Sequence, residues 1–234
     1  MDNNLLQIKV KQRLNKLASL DYDNLECWQI AEAFNKAQIE WVRRQVHGNN
    51  LRKEGDESTK MLIDDLQKLL VETAVTVADN EIYYETEVLP LNYLYFKRLS
   101  TYSTTDCCST PRLTTIYIAE VADADVLLND SFRSPSFEWG ETFATMQNDR
   151  FRIYTNNAFS IANTALTYYR KPANVEFIDC VNPSTNAIYT ANVICEFKDD
   201  IVEMIIDDTA ALLAGDIEQF NQYTRGKQNA QTNN

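Results

Sequence analysis

The chain changes its hydrophobic period twice, and this change limits its fold more than any other feature. All five prolines, at 90, 111, 135, 172 and 183, fall between residues 90 and 183. Proline removes a backbone donor and clashes with the preceding helical turn, so long helices are confined to the flanks. On both flanks apolar residues recur every three or four positions. Between the flanks they alternate every two, as half-buried strands do.

The first flank reads as helices. Leu6, Val10, Leu14 and Leu17 predict helix one over about 4–20, with Lys9, Arg13 and Lys16 forming a separate basic stripe. Asp23 as N-cap with Glu26 three residues on predicts helix two over 23–47. Its main seam is Cys27, Ile30, Phe34, Ala37 and Trp41, and Ile39, Val42 and Val46 suggest a second. Two seams imply a helix wedged between neighbours. Arg43, Arg44 and His47 complement the macrodipole in the last turn, and Gly48 is a natural stop. Ser58 is the expected N-cap of a third helix over 58–70.

The middle alternates. Residues 71–77 and 82–88 read as a hairpin about Asp79-Asn80, and further strands are expected at 93–102, 112–120, 149–155, 164–171, 174–180 and 187–197. Mixed signals in 121–148 suggest a loop with a short helix near 123–130. A last helix begins at Asp199-Asp200, with Val202, Ile206, Thr209, Leu213, Ile217 and Phe220 on one face. The expected fold is α+β, divided into an N-terminal helical region (1–70), a mainly antiparallel β-rich region (71–198), a C-terminal helix (199–224) and a polar tail (225–234).

Composition closes off most motif-bearing chemistry. One histidine among 234 residues cannot build a His-cluster metal site, and the five glycines are too dispersed for a phosphate loop. His47 has no Gly-x-Ser-x-Gly elbow to serve and reads as a helix cap. Cys27, Cys107, Cys108, Cys180 and Cys195 are odd in number and lack C-x-x-C spacing, so reduced thiols in a cytosolic compartment are expected. No apolar run is long enough to span a membrane, and the first residues do not resemble a signal peptide. The net charge of −12 is uneven: residues 1–60 carry +1 and the remainder −13. A body so acidic should repel duplex DNA rather than clamp it.

Three constellations have residue types that could carry chemistry. Asp200, Glu203 and Asp207 share a helical face, with Asp199 and Asp208 alongside, but no EF-hand spacing is present. Carboxylates in a first helical turn are favoured by the dipole alone, so a solvated or interface face is expected. Glu138 and Glu141 flank Trp139-Gly140, without a cleft to make them a catalytic pair. Trp28 lies opposite the main seam of helix two, where it either packs on a neighbouring helix or anchors another molecule. No catalytic residue, metal ligand or cofactor site is assigned, and the protein is not expected to be an enzyme.

Five stretches together carry a resemblance. They are Ala31 to Gly48 (Ala-Glu-Ala-Phe-Asn-Lys-Ala-Gln-Ile-Glu-Trp-Val-Arg-Arg-Gln-Val-His-Gly), Gly55 to Thr59 (Gly-Asp-Glu-Ser-Thr), Leu89 to Leu94 (Leu-Pro-Leu-Asn-Tyr-Leu), Leu166 to Pro172 (Leu-Thr-Tyr-Tyr-Arg-Lys-Pro) and Asp199 to Glu203 (Asp-Asp-Ile-Val-Glu). In this order they resemble the head-to-tail connector, or neck, ring proteins of tailed bacteriophages, nearest to those of crAss-like phages. The resemblance implies a virion protein, assembled in the host cytoplasm, that forms a closed ring of about twelve copies below the portal. Its partners would be itself, the portal protein and neighbouring neck or tail rings. It would enclose duplex DNA without gripping it, and no catalytic residues carry over. A ring needs heterologous contacts. Lys9, Arg13, Lys16, Trp28, Arg43, Arg44, Asp200, Glu203 and Asp207 are the interface residues expected, the basic stripe meeting the acidic face of the next copy. The competing readings are a capsid-decorating protein or tail-fibre adaptor, and a carboxylate-dependent enzyme.

Overall fold

Thr76 sits between two strands that occupy opposite edges of the same sheet, and this arrangement defines half of the molecule. The computed structural model describes residues 1–17, 25–47, 65–106, 108–183 and 186–216. The fold is α+β and its chain forms two compact units, residues 69–171 and residues 1–68 with 172–234.

The first of these is a curled sheet of eight strands: β1 (Leu70–Val75), β2 (Val77–Asn80), β3 (Tyr83–Thr86), β4 (Tyr93–Thr105), β5 (Cys108–Ile118), β6 (Glu141–Gln147), β7 (Arg150–Tyr154) and β8 (Ser160–Arg170). Their order is β1-β8-β4-β5-β6-β7-β3-β2. A residue of extended chain spans at most about 3.6 Å, so one residue cannot bridge the two edges of an open sheet. The sheet must therefore curl until its edges meet. β1 and β2 are halves of one strand, the first pairing with β8 and the second with β3. The result is a seven-stranded barrel. Its interior takes Leu99, Ile116, Ala144, Ile153 and Leu166, with Val71, Val77 and Tyr84 packed against them, so every strand contributes. Two of the buried hydroxyls are paired with the barrel's backbone: Thr101 donates to the Ala162 carbonyl at 3.0 Å, and the Phe151 amide donates to Thr86 at 2.9 Å.

Only β5 and β6 are parallel. A parallel pair needs a long crossover, usually helical, and residues 119–140 supply it. A short 3₁₀ turn (Val121–Asp123) leads into α3 (Ala124–Asn129), whose Ala124 and Leu127 pack on Phe143 of β6.

Among the described residues the other unit has three long helices: α1 (Asn3–Leu17), α2 (Cys27–His47) and α4 (Asp199–Asp216). α4 packs on both α1 and α2. Leu6, Val10 and Leu14 from α1, Ile30, Phe34, Ala37, Trp41 and Val42 from α2, and Val202, Ile205, Ile206 and Leu213 from α4 are buried. The main seam of α2 is therefore the core face, and Val42 joins it. Ile39, placed in the second seam, is exposed.

Between Pro172 and Lys198 the chain has little ladder pairing, which corrects the strands expected at 174–180 and 187–197. A two-residue pair, β9 (Val181–Asn182) with β10 (Ala187–Ile188), and a bridge between Glu176 and Val193 are all the pairing in this stretch among the described residues. Helix side chains satisfy the backbone instead. Asn35 accepts from the Val175 amide at 2.7 Å and donates to its carbonyl at 3.1 Å. Asn3 donates to the carbonyls of Glu176 and Val193 at 2.8 and 3.1 Å. Phe197 meets Trp41 edge to face at 5.1 Å.

The expected hairpin joins 77–80 to 83–86, turning on Glu81 with a positive φ of 66°, while 70–75 pairs elsewhere. Strand β6 lies in the stretch read as loop. Its hairpin to β7 turns on Asn148 and Asp149 at φ 53° and 56°, both left-handed as a tight two-residue turn requires. Of the expected third helix, residues 65 and 66 are helical and 67–69 form a 3₁₀ turn, while its part up to residue 64, like the caps Asp23, Gly48 and Ser58 and the tail 225–234, lies outside the described residues. Cys27 and Cys180 form a disulfide with Cα atoms 5.9 Å apart, against the expectation of reduced thiols, while Cys195 is free and buried. Replacing Cys27 with Ser should cost about 2–4 kcal/mol in urea unfolding, and peptide mapping without reductant should recover Cys27 linked to Cys180.

Candidate interaction surfaces

The charged stripes read from the helices meet each other within one chain. Lys9 and Arg13 of α1 both pair with Glu203 of α4, Arg13 at 3.4 Å, and Arg13 Nε reaches Asp207 at 2.9 Å. Arg44 of α2 pairs with Asp208. Lys9, Arg13, Glu203 and Asp207 thus meet within one chain, and all four stay partly exposed. The reason is that α4 is buried around most of its circumference, so its carboxylates must be neutralised by the helices packed on it.

Asp208, which periodicity placed merely alongside the acidic face, is the most buried of them. Burial pushes its carboxyl above the usual 3.8, opposed by the Arg44 guanidinium. Asp207 is raised by the same cause and opposed by Arg13. The remaining expected residues are scattered. Asp200 and Arg43 are exposed, the half-buried Trp28 donates its indole N–H to Glu26, and the side chain of Lys16 lies outside the described residues.

The barrel carries the feature that periodicity missed. The β5–β6 crossover presents Phe132 at 98% and Trp139 at 79% exposure. They line a half-open cleft of about 440 Å³ with Tyr117, Leu127, Arg133 and Glu141. The loop is held from β5. Arg112 donates to the carbonyls of Phe137 and Glu138, and the Tyr117 hydroxyl donates to the Arg133 carbonyl at 3.3 Å. Reciprocal bonds between Ser136 and Glu141, at 3.0 and 3.2 Å, close the turn that carries Trp139. Gly140 follows at φ 64°, and a Cβ there would press on Arg112 and on the Leu113 carbonyl, both at 3.3 Å. Two aromatic rings are therefore held out by a pinned backbone. Trp is enriched among interface anchors.

Residues 119–141 contain six acidic side chains and one basic, Arg133. The paired stretches 88–105 and 160–171, on β4 and β8, contain Lys97, Arg98, Arg170 and Lys171 and no acid. Among the described residues no group of three His, Cys, Asp or Glu side chains could hold a metal ion. No helix among them is long and apolar enough to cross a membrane. No protein-family model and no curated protein matches the chain.

Replacing Arg44 with Ala should cost about 3–5 kcal/mol by stranding buried Asp208, whereas Arg44→Met with Asp208→Leu should be near neutral. Because the Asp207 and Asp208 carboxyls sit above 3.8 when folded, the folded state binds more protons than the unfolded one just above that pH. These two groups therefore lower stability as pH rises through the window. The Arg44→Ala penalty should shrink as pH falls toward 3.8, which urea titrations at several pH values will read.

Proposed function

We propose that the chain is a structural neck-ring protein of a tailed bacteriophage. It joins the portal to the tail, forms part of the DNA conduit and carries out no catalysis. The observation that carries the reading is a surface built for contact on a chain whose internal charges are paired. The cleft of Phe132 and Trp139 is pinned and solvated, and the helix carboxylates Glu203, Asp207 and Asp208 are already neutralised from within. The five stretches that resemble neck proteins of crAss-like phages support it. So does the net charge of −12, since an acidic wall lets a polyanion slide without sticking.

Ring assembly is tested by the mass of the particle, measured alone and mixed with a portal protein. A particle of about twelve copies is expected in one or both conditions. A monomer in both overturns the reading, and a compact trimer favours a capsid-decorating protein instead. The conduit role predicts no measurable duplex DNA binding at moderate salt, and tight binding in a gel-shift or anisotropy assay would contradict it.

A further inference from the structure

We infer that the aromatic cleft of the β5–β6 crossover receives the basic β4–β8 corner of a second copy of this chain, in a head-to-tail contact. The inference rests on the ring reading above, which requires two different patches on each copy.

The occupant follows from charge and shape. The cleft's segment carries a net −5, with Glu138 and Glu141 beside Trp139. Its complement must be basic and must offer an apolar tip to fill the space between Phe132 and Trp139. The β4–β8 corner of the same barrel has both. Leu91 is 99% exposed in the turn that opens β4. The Lys171 amide donates to the Asn92 carbonyl at 2.7 Å, which places a lysine next to that turn. Lys97, over the Tyr169 ring, and Arg98 follow on β4, both exposed. Residues 88–105 and 160–171 hold no carboxylate, and Glu72 of β1 meets β8 at Thr167, away from the Leu91 turn.

The two patches lie on different parts of one barrel, the corner where β4 opens and the loop after β5. Neither can fold back on the other, because each is tied to its own strands: the corner by the Lys171–Asn92 bond, the loop by Arg112 and Tyr117. A copy therefore offers a donor surface at one place and a receiving surface at another. Repetition of such a contact closes a ring when the rotation permits. Opposite charges on the two patches also favour the head-to-tail register over head-to-head or tail-to-tail pairing, in which like charges meet.

The test uses two variants of the full chain. Phe132→Ser with Trp139→Ser disables the cleft, and Leu91→Asp with Lys171→Glu disables the corner. All four side chains are exposed, so unfolding midpoints should match wild type. Each variant alone should associate at least about 30-fold more weakly than wild type, the effect of losing a hot spot worth about 2 kcal/mol. Mixed in equal amounts they should form a dimer and nothing larger, because one functional patch of each kind remains. Mass photometry and sedimentation velocity read all three samples.

Variants that assemble as wild type does overturn the contact while leaving the ring reading intact. A mixture that stays monomeric overturns it too. If the cleft variant assembles with itself but no longer joins a portal protein, the cleft belongs to the portal and not to a second copy. A wild-type chain that is monomeric with and without portal protein overturns the ring reading and this inference together.

Discussion

A closed ring of strands can be antiparallel throughout only when the number of strands is even. This barrel has seven, because β1 and β2 are one strand divided at Thr76. At least one pair must then be parallel, and it is β5 with β6. The rest of the barrel's surface follows from that requirement. A parallel pair cannot be joined by a tight turn, so 22 residues leave the sheet after Ile118 and return at Glu141. They carry the short helix α3, the Arg112-held turn and the two exposed aromatics. The cleft stands where strand parity obliges the chain to leave the sheet.

The helical unit solves a different problem. Its stretch 172–198 runs without a continuous ladder, yet buried backbone groups must be paired. Asn35 and Asn3 supply amide donors and acceptors from α2 and α1, doing for Val175, Glu176 and Val193 what a neighbouring strand would do. The disulfide from Cys27 to Cys180 fastens the same stretch to the start of α2. α4, buried on most sides, draws Arg13 and Arg44 inward to its carboxylates. Ion pairs of this sort contribute modestly when intact and cost more when one partner is lost.

The α+β class, α1, α2, α4 and most strands of the barrel were legible from period alone. Leu6, Val10 and Leu14, or Ile30, Phe34 and Trp41, repeat as an amphipathic helix must. β6 was missed because Thr142, Phe143, Ala144 and Thr145 are all buried, with α3 covering one face and the barrel interior the other. Alternation disappears when both faces are covered. The turn after it, Asn148-Asp149, lacks the glycine that usually betrays a hairpin. Residues 174–197 looked like strands because Val175, Phe177 and Ile188 have the composition of strands, but amide side chains took the place of a partner. Lys9 and Arg13 share one face of α1, and Glu203 and Asp207 one face of α4, as their spacing requires. What periodicity could not show is that Glu203 and Asp207 face Arg13, since a one-dimensional pattern gives the face of a helix and not its neighbour. Phe132 and Trp139 had no periodic signal, for they sit in irregular chain.

Closing the barrel with its first strand also sets the order of events in time. Leu70 pairs with Tyr169, nearly a hundred residues later, and Tyr84 pairs with Ile153. Among the paired strands of the barrel, only β2–β3, β4–β5 and β6–β7 are joined by short turns, and β5–β6 by the 22-residue crossover. Pairings between such distant segments carry a large loop-closure entropy and form slowly. At about 5–20 residues per second of synthesis, β1 waits several seconds on the ribosome before its partner β8 exists. During that interval β1 and the far edge of β4 are unpaired strands, able to join the wrong chain. The chain thus passes through a stage in which its copies must be kept apart.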